Sequence, residues 1–167
     1  MKETYTVEDL KSMAKQLRLT LMGEQMDVML EAADKAKMTA RELIGFMFSQ
    51  ELQRRKQHRT KMGIMSAHFP MDRTLAEFDF SVIPAIDPGR IRDLASLDWV
   101  RNGSNLLLQG PPGVGKTHLA IGLARVAIEE GFKVLFSTAN DLVEDLSEAT
   151  RVGKLKERIS ELAKPAS

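Results

Sequence analysis

The segment GPPGVGKT, at residues 110–117, constrains this chain more than any other feature of its sequence. It satisfies the pattern G-x-x-x-x-G-K-[ST] through Gly110, Gly115, Lys116 and Thr117. Residues 105–109, with the sequence NLLLQ, come directly before it and predict a short buried strand. Apolar residues at helical spacing follow over 117–130, and Gly131 stands where a helix often ends. The sequence therefore predicts a phosphate-binding loop between a strand and a helix.

The chemistry of such a loop explains its residue types. Glycines let the backbone approach a triphosphate closely, and successive N–H groups with the N-terminus of the next helix bind the anion. Lys116 supplies a cation for the β- and γ-phosphates, and the hydroxyl of Thr117 is a ligand for Mg²⁺. The predicted nucleotide-binding residues are Gly110, Pro111, Pro112, Gly113, Val114, Gly115, Lys116 and Thr117.

Composition limits the kinds of site and the cellular location that we expect for the chain. The sequence has no cysteine, which excludes disulfides and thiolate metal sites and leads us to expect a cytoplasmic protein. It contains no signal-peptide core and no apolar run of about 18 residues, so we expect no membrane span. The formal net charge of +1 says little about partners.

Three segments are predicted along the chain. Residues 1–68 indicate a helical N-terminal domain, with Thr6 capping a first helix, a second helix over 20–37, and a Thr39–Glu42 capping box on a third. Residues 69–104 indicate a connector with one short helix over 87–100. Residues 105–167 indicate the N-terminal part of a P-loop ATPase domain, with a second strand over 133–137, a helix capped by Asn140 and a last amphipathic helix.

The third helix changes character after residue 53. Arg54, Arg55, Lys56, His58, Arg59 and Lys61 follow with no acidic residue among them. This is the best nucleic-acid-binding candidate in the chain, with Arg54, Arg55, Lys56, Arg59 and Lys61 as predicted DNA contacts. The alternative is a solvated helix end, where cations also interact favourably with the helix dipole. The sequence alone leaves both interpretations open.

No catalytic acid can be assigned. A P-loop ATPase also needs an acidic residue at the end of a second apolar strand, near the Mg²⁺. The apolar run 134–136 ends at Ser137, and the run 106–108 ends at Gln109. No arginine finger can be nominated either. We therefore name no catalytic residue and leave open whether the chain hydrolyses the nucleotide.

Several stretches together resemble one family. GPPGVGKTHLA is similar to the AAA+ form of the loop, and TLAEFDFS, IRDLASLDWV and VLFSTANDLVEDL resemble stretches of the IstB-type transposition helpers. These are AAA+ ATPases related to the DnaC-type helicase loaders. The N-terminal helices, LKSMAKQLRLTLMGEQMDVMLEAA with ELQRRKQHR, are also similar to that family.

The resemblance implies a fold and a function. The implied fold is an α/β P-loop NTPase of the AAA+ type, preceded by a small all-helical domain. The implied function is an ATP- and Mg²⁺-binding, DNA-binding helper that assembles on DNA with ATP, as a homo-oligomer, and works with an insertion-sequence transposase. In the family, a segment like 155–165 leads into the strand that carries an Asp–Glu pair. We therefore expect a chain truncated before that strand, with an incomplete sheet.

Three other functions stay open. A DnaC-type helicase loader would have similar motifs and a different protein partner. A small-molecule P-loop kinase would need an arginine-rich lid and an acceptor pocket, and the sequence shows neither. A non-hydrolysing fragment that only binds DNA or protein partners is compatible with the missing acidic residue.

Overall fold

The computed structural model describes residues 5–82 and 86–163. Contacts within the chain divide it into two units, Met1–Arg59 and Thr60–Ser167. The domain boundaries predicted at residues 68/69 and 104/105 stay a prediction.

Three helices build the first unit. Helix α1 spans Val7–Gln16, α2 spans Thr20–Lys35, and α3 spans Ala40–Ser66, of which the residues up to Arg59 belong to this unit. Thr6 caps α1 in a reciprocal box with Asp9. Thr39 and Glu42 make the same exchange at the start of α3, with the Glu42 carboxylate 2.8 Å from the Thr39 backbone N–H. Both predicted caps are confirmed.

Methionine and alanine side chains form the core of this unit. Ala14 of α1 packs with Met22 and Met26 of α2, and all three are buried. The partly buried side chains against this cluster are Val7, Leu10, Leu19, Leu30 and Met47. Methionine is unbranched and polarisable, so it fills irregular gaps between helices. These methionines therefore serve as core residues.

The second unit has a longer series of short elements. Two 3₁₀ turns, Leu75–Glu77 and Phe80–Val82, come before helices α4 (Pro88–Ala95) and α5 (Asp98–Arg101). Helices α6 (Lys116–Glu129), α7 (Ala139–Arg151) and α8 (Leu155–Leu162) follow. A buried cluster of Phe78, Ile91 and Leu119 joins the first turn, α4 and α6.

Two local predictions in this unit are wrong. The single helix predicted over 87–100 is interrupted at Leu97, which adopts a left-handed conformation with φ of 63° and is fully buried. The residue that caps α7 is Thr138, not Asn140, because its hydroxyl and the Asp141 carboxylate complete a capping box. Asn140 lies inside the first turn of the helix.

The strands predicted over 105–109 and 133–137 are not formed within the described residues. Burial nevertheless alternates residue by residue in both segments, with 106, 108, 132, 134 and 136 half-buried and their neighbours exposed. This period of two is that of an extended chain with one packed face. The incomplete α/β sheet that the resemblance implies is therefore not confirmed for the part of the chain that is described.

The physical reason is the lack of a neighbouring strand. A strand requires a ladder of hydrogen bonds to a second chain segment. No backbone hydrogen bond joins the two segments within the described residues, and Phe136 N–H donates instead to the Ala67 carbonyl at 2.8 Å. Side chains of both segments line one cavity of about 310 Å³ beside α6.

Within the residues described, none of the helices α1–α8 combines the length and the apolarity that a transmembrane span requires.

Candidate nucleotide site and nucleic-acid interface

The predicted phosphate-binding loop leads directly into α6, which begins at Lys116. Gly113 and Gly115 have φ of 83° and 77°, in the left-handed region that glycine adopts without steric cost. Space also requires glycine at position 115, since a Cβ there would lie 2.7 Å from a ring carbon of Phe78. The glycines therefore allow a tight loop whose end is the N-terminus of a 14-residue helix.

The Lys116 side chain folds back over this loop. Its ammonium group donates a hydrogen bond to the Pro111 carbonyl at 2.6 Å. The first N–H groups of a helix have no partners within the helix, so the start of α6 offers donors beside this cation. Thr117 is exposed at the same end. A cation, unpaired amides and a hydroxyl form a donor set that fits a phosphate group with Mg²⁺.

Polar contacts tie residues 72–78 to α6. Arg125 pairs with Asp72, and the His118 ring N–H donates to the Thr74 carbonyl at 2.8 Å. His118 also meets the edge of the Phe78 ring, with 5.2 Å between ring centroids. These contacts account for His118 as a structural residue next to the loop.

Apolar contacts also join residues 72–78 to α6. Leu75 packs against Gly122, where a Cβ would lie 2.6 Å from a methyl group of Leu75. Phe78 packs against Gly115 at the end of the loop. Residues 72–78, predicted as part of a connector, thus lie along α6 and support the loop. A glycine in the middle of a buried apolar helix was the sequence signal for this close approach.

No acidic metal centre accompanies the loop. Across residues 5–82 and 86–163, no group of three or more His, Asp or Glu side chains could hold a metal ion. The Mg²⁺ ligand predicted at Thr117 stays a prediction.

The predicted DNA-binding residues lie on α3. Arg54, Arg55, His58 and Arg59 line one cavity of about 320 Å³ together with Thr20 and Glu51. Lys56 and Lys61 are exposed on the same helix and are not among the lining residues. The structure thus brings part of the basic stretch together around a cavity, and His58 joins it.

Glu51 is the residue that sequence reasoning missed. It is only 2% exposed, and its carboxylate accepts from the backbone N–H groups of Leu21 and Met22 at 2.8 and 3.3 Å. Helix α2 has no side-chain cap of its own, so Glu51 supplies one from α3. The sequence signal was weak: a lone acid before a run of cations, and a helix start without a capping residue.

Arg55 completes this arrangement. Its Nε–H donates to the Glu51 carboxylate at 3.1 Å, and its Nη2 donates to the Arg18 carbonyl at 2.6 Å. Burial alone would raise the pKa of Glu51, but the hydrogen bonds from Met22, Arg55 and Leu21 outweigh it, so the pKa is lowered. Glu51 is therefore ionised near neutral pH, and Arg55 is engaged in the fold.

Comparison with known proteins identifies the family of the chain. A family model described as the IstB-like ATP binding protein matches residues 12–167. The chain belongs to this family. Membership implies a P-loop NTPase.

Individual relatives in the family cover most of this chain. A protein of Geobacillus stearothermophilus named as an ATP-binding protein of insertion sequence IS5376 is 35% identical over 89% of the chain and 59% of its own length. One from Pseudomonas aeruginosa, named for insertion sequence IS21, is 33% identical over 94% of the chain and 59% of its own length. A third, from Sinorhizobium fredii, is 34% identical over 91% of the chain and 51% of its own length. The chain thus spans between half and six-tenths of the length of these relatives.

Proposed function

We propose that this chain binds ATP with Mg²⁺ through residues 110–117 and acts on DNA as a helper of an insertion-sequence transposase. The observation that carries the proposal is the Lys116 ammonium folded over a glycine-containing loop at the N-terminus of α6. Family membership and the names of the relatives support the same function. Homo-oligomeric assembly on DNA and a cytoplasmic location belong to this proposal.

Each residue of the loop has a distinct role in it. Lys116 would leave the Pro111 carbonyl and bind the β- and γ-phosphates, because a phosphate is a stronger acceptor for an ammonium group than a neutral carbonyl. Thr117 would hold Mg²⁺ through its hydroxyl, and the metal would neutralise phosphate charge. Gly113 and Gly115 would keep the backbone N–H groups close to the anion.

DNA binding is assigned to the basic stretch of α3. Arginine and lysine contact backbone phosphates without reading sequence, so the expected binding is salt-dependent and largely independent of sequence. A role as a helicase loader would use the same chemistry with a different protein partner. The insertion-sequence names of the relatives favour the transposition role.

The proposal predicts that ATP and DNA binding are coupled. The test measures fluorescence anisotropy of a labelled mixed-sequence duplex, with and without ATP and Mg²⁺, for the full chain and its Lys116→Ala variant. Coupling free energies between sites are commonly about 1–3 kcal/mol, so ATP should tighten DNA binding roughly 5- to 150-fold. Lys116→Ala should abolish that gain and leave ATP-free DNA binding unchanged. Equal DNA affinity with and without ATP in the unaltered chain would contradict ATP-dependent assembly.

A further inference from the structure

The basic stretch is not a uniform charged face. Three arginines and one histidine of α3 line a single cavity of about 320 Å³, whose lining also includes Thr20 at the start of α2. Exposed cations on a helix usually extend separately into solvent. Here the four basic side chains line the same cavity.

The charges in this cavity do not cancel. Among the described residues that line it, Glu51 is the only acidic one, and its carboxylate accepts from two backbone N–H groups and Arg55. Arg54 lies 4.0 Å from the Glu24 carboxylate, at the outer limit of an ion pair. Within the described ranges, neither His58 nor Arg59 makes an ion pair or a side-chain hydrogen bond. Three arginines against one engaged carboxylate leave the cavity cationic.

We propose that this cavity receives one backbone phosphate of DNA, held by Arg54, Arg59 and His58 with the Thr20 hydroxyl as a further donor. Arg55 also lines the cavity, and hydrogen bonds to the Glu51 carboxylate and the Arg18 carbonyl hold its guanidinium in place. Hydroxyl and guanidinium donors are the groups that position a protein on a phosphodiester. The inference rests on the proposed DNA binding and adds that several cations share one phosphate.

The binding of one phosphate by both Arg54 and Arg59 has a measurable consequence. Each phosphate that a protein neutralises on duplex DNA contributes about −0.9 to the slope of log K against log salt. If Arg54 and Arg59 bound separate phosphates, the double alanine variant would lose about 1.8 from the slope. Because they bind the same phosphate, the double variant should lose about 0.9 in all, and the two single losses should not add.

The experiment uses the full chain and a fluorescein-labelled mixed-sequence duplex, titrated at a series of KCl concentrations. The variants are Arg54→Ala, Arg59→Ala and the double variant. Lys56→Ala is the matched control, since it removes a cation of the same run that does not line the cavity. In the combined variant Lys56→Ala with Arg59→Ala, the two losses of slope should add. Circular dichroism of each variant checks that the helices are retained.

A second readout separates DNA from nucleotide as the source of the phosphate. A fluorescent ATP analogue should bind the double variant as tightly as the unaltered chain. A loss of ATP affinity in the double variant would overturn the assignment to DNA. Additive slope losses near 1.8 would overturn the shared phosphate while DNA binding stood. Absence of any DNA binding by the unaltered chain would overturn the proposed function and this inference together.

Discussion

Replacement of Glu51 by glutamine tests the long-range cap of α2. The Glu51 carboxylate accepts hydrogen bonds from Leu21 N–H, Met22 N–H and the Arg55 guanidinium in a site that is nearly closed to solvent. A glutamine has one acceptor oxygen, and its amide N–H₂ would then face either the backbone donors or the arginine. At least one of these donors would lose its acceptor. Hydrogen bonds to charged groups contribute about 1.5–3 kcal/mol, so the free energy of unfolding should fall by about that amount.

The assay is urea unfolding followed by far-ultraviolet circular dichroism near neutral pH. Glu31→Gln is the matched control, because Glu31 pairs with Lys35 at an exposed position where such pairs contribute little. A loss in Glu51→Gln no larger than the loss in the control would refute the assigned role.

The comparison of the unaltered chain with Glu51→Gln should also depend on pH. The pKa of Glu51 is lowered from its ordinary value of 4.5, so the unfolded chain takes up this proton at higher pH than the folded one. The stabilisation is therefore fully present above pH 4.5 and is lost as the pH falls through the lower folded pKa. The stability difference between the unaltered chain and Glu51→Gln should shrink over that range. A difference that does not change with pH would contradict the ionised cap.

Two other predictions concern the packing on α6 and ATP turnover. Gly122→Ala should lower the free energy of unfolding by about 1–3 kcal/mol, because its Cβ would lie 3.1 Å from the Leu75 backbone nitrogen. The control Gly45→Ala has open space around it in α3 and should raise the free energy of unfolding by roughly 0.5–1 kcal/mol; equal effects in urea unfolding would argue against the close packing of 72–78 on α6. ATP hydrolysis should be at background in a phosphate-release assay, because no catalytic acid follows an apolar run in the sequence. A DNA-stimulated rate of about 1 s⁻¹ that Lys116→Ala abolishes would show that the chain completes a catalytic site.

Features set by neighbours in sequence were predictable. The capping boxes of α1 and α3 each depend on a pair of residues three positions apart, so Thr6 and Thr39 could be identified directly. The cap of α7 was misplaced because Asn140 is also a capping residue type. Thr138 caps the helix because Asp141 stands three positions after it, a criterion that was already visible in the sequence.

Features set by distant residues were not predictable in this way. The segments 105–109 and 133–137 each contain the short apolar run of a buried strand, but pairing depends on a neighbour that no local pattern specifies. Glu51 accepts a hydrogen bond from Leu21, which lies 30 residues earlier in the chain, so its role as a cap left no local pattern in the sequence. Gly122 indicated that some segment approaches α6 closely, but its position did not identify residues 72–78 as that segment.

The nucleotide site is the centre of this account, and Lys116→Ala is its most direct test. Lys116 is the cation that the structure brings over the loop, and charge-assisted contacts of this kind contribute about 1.5–3 kcal/mol. Titration with a fluorescent ATP analogue in the presence of Mg²⁺ should therefore show an affinity loss of roughly 10- to 100-fold. Lys154→Ala, which removes an exposed lysine before α8, is the control and should bind as the unaltered chain does. Unchanged affinity in Lys116→Ala, or an equal loss in the control, would contradict residues 110–117 as the nucleotide site.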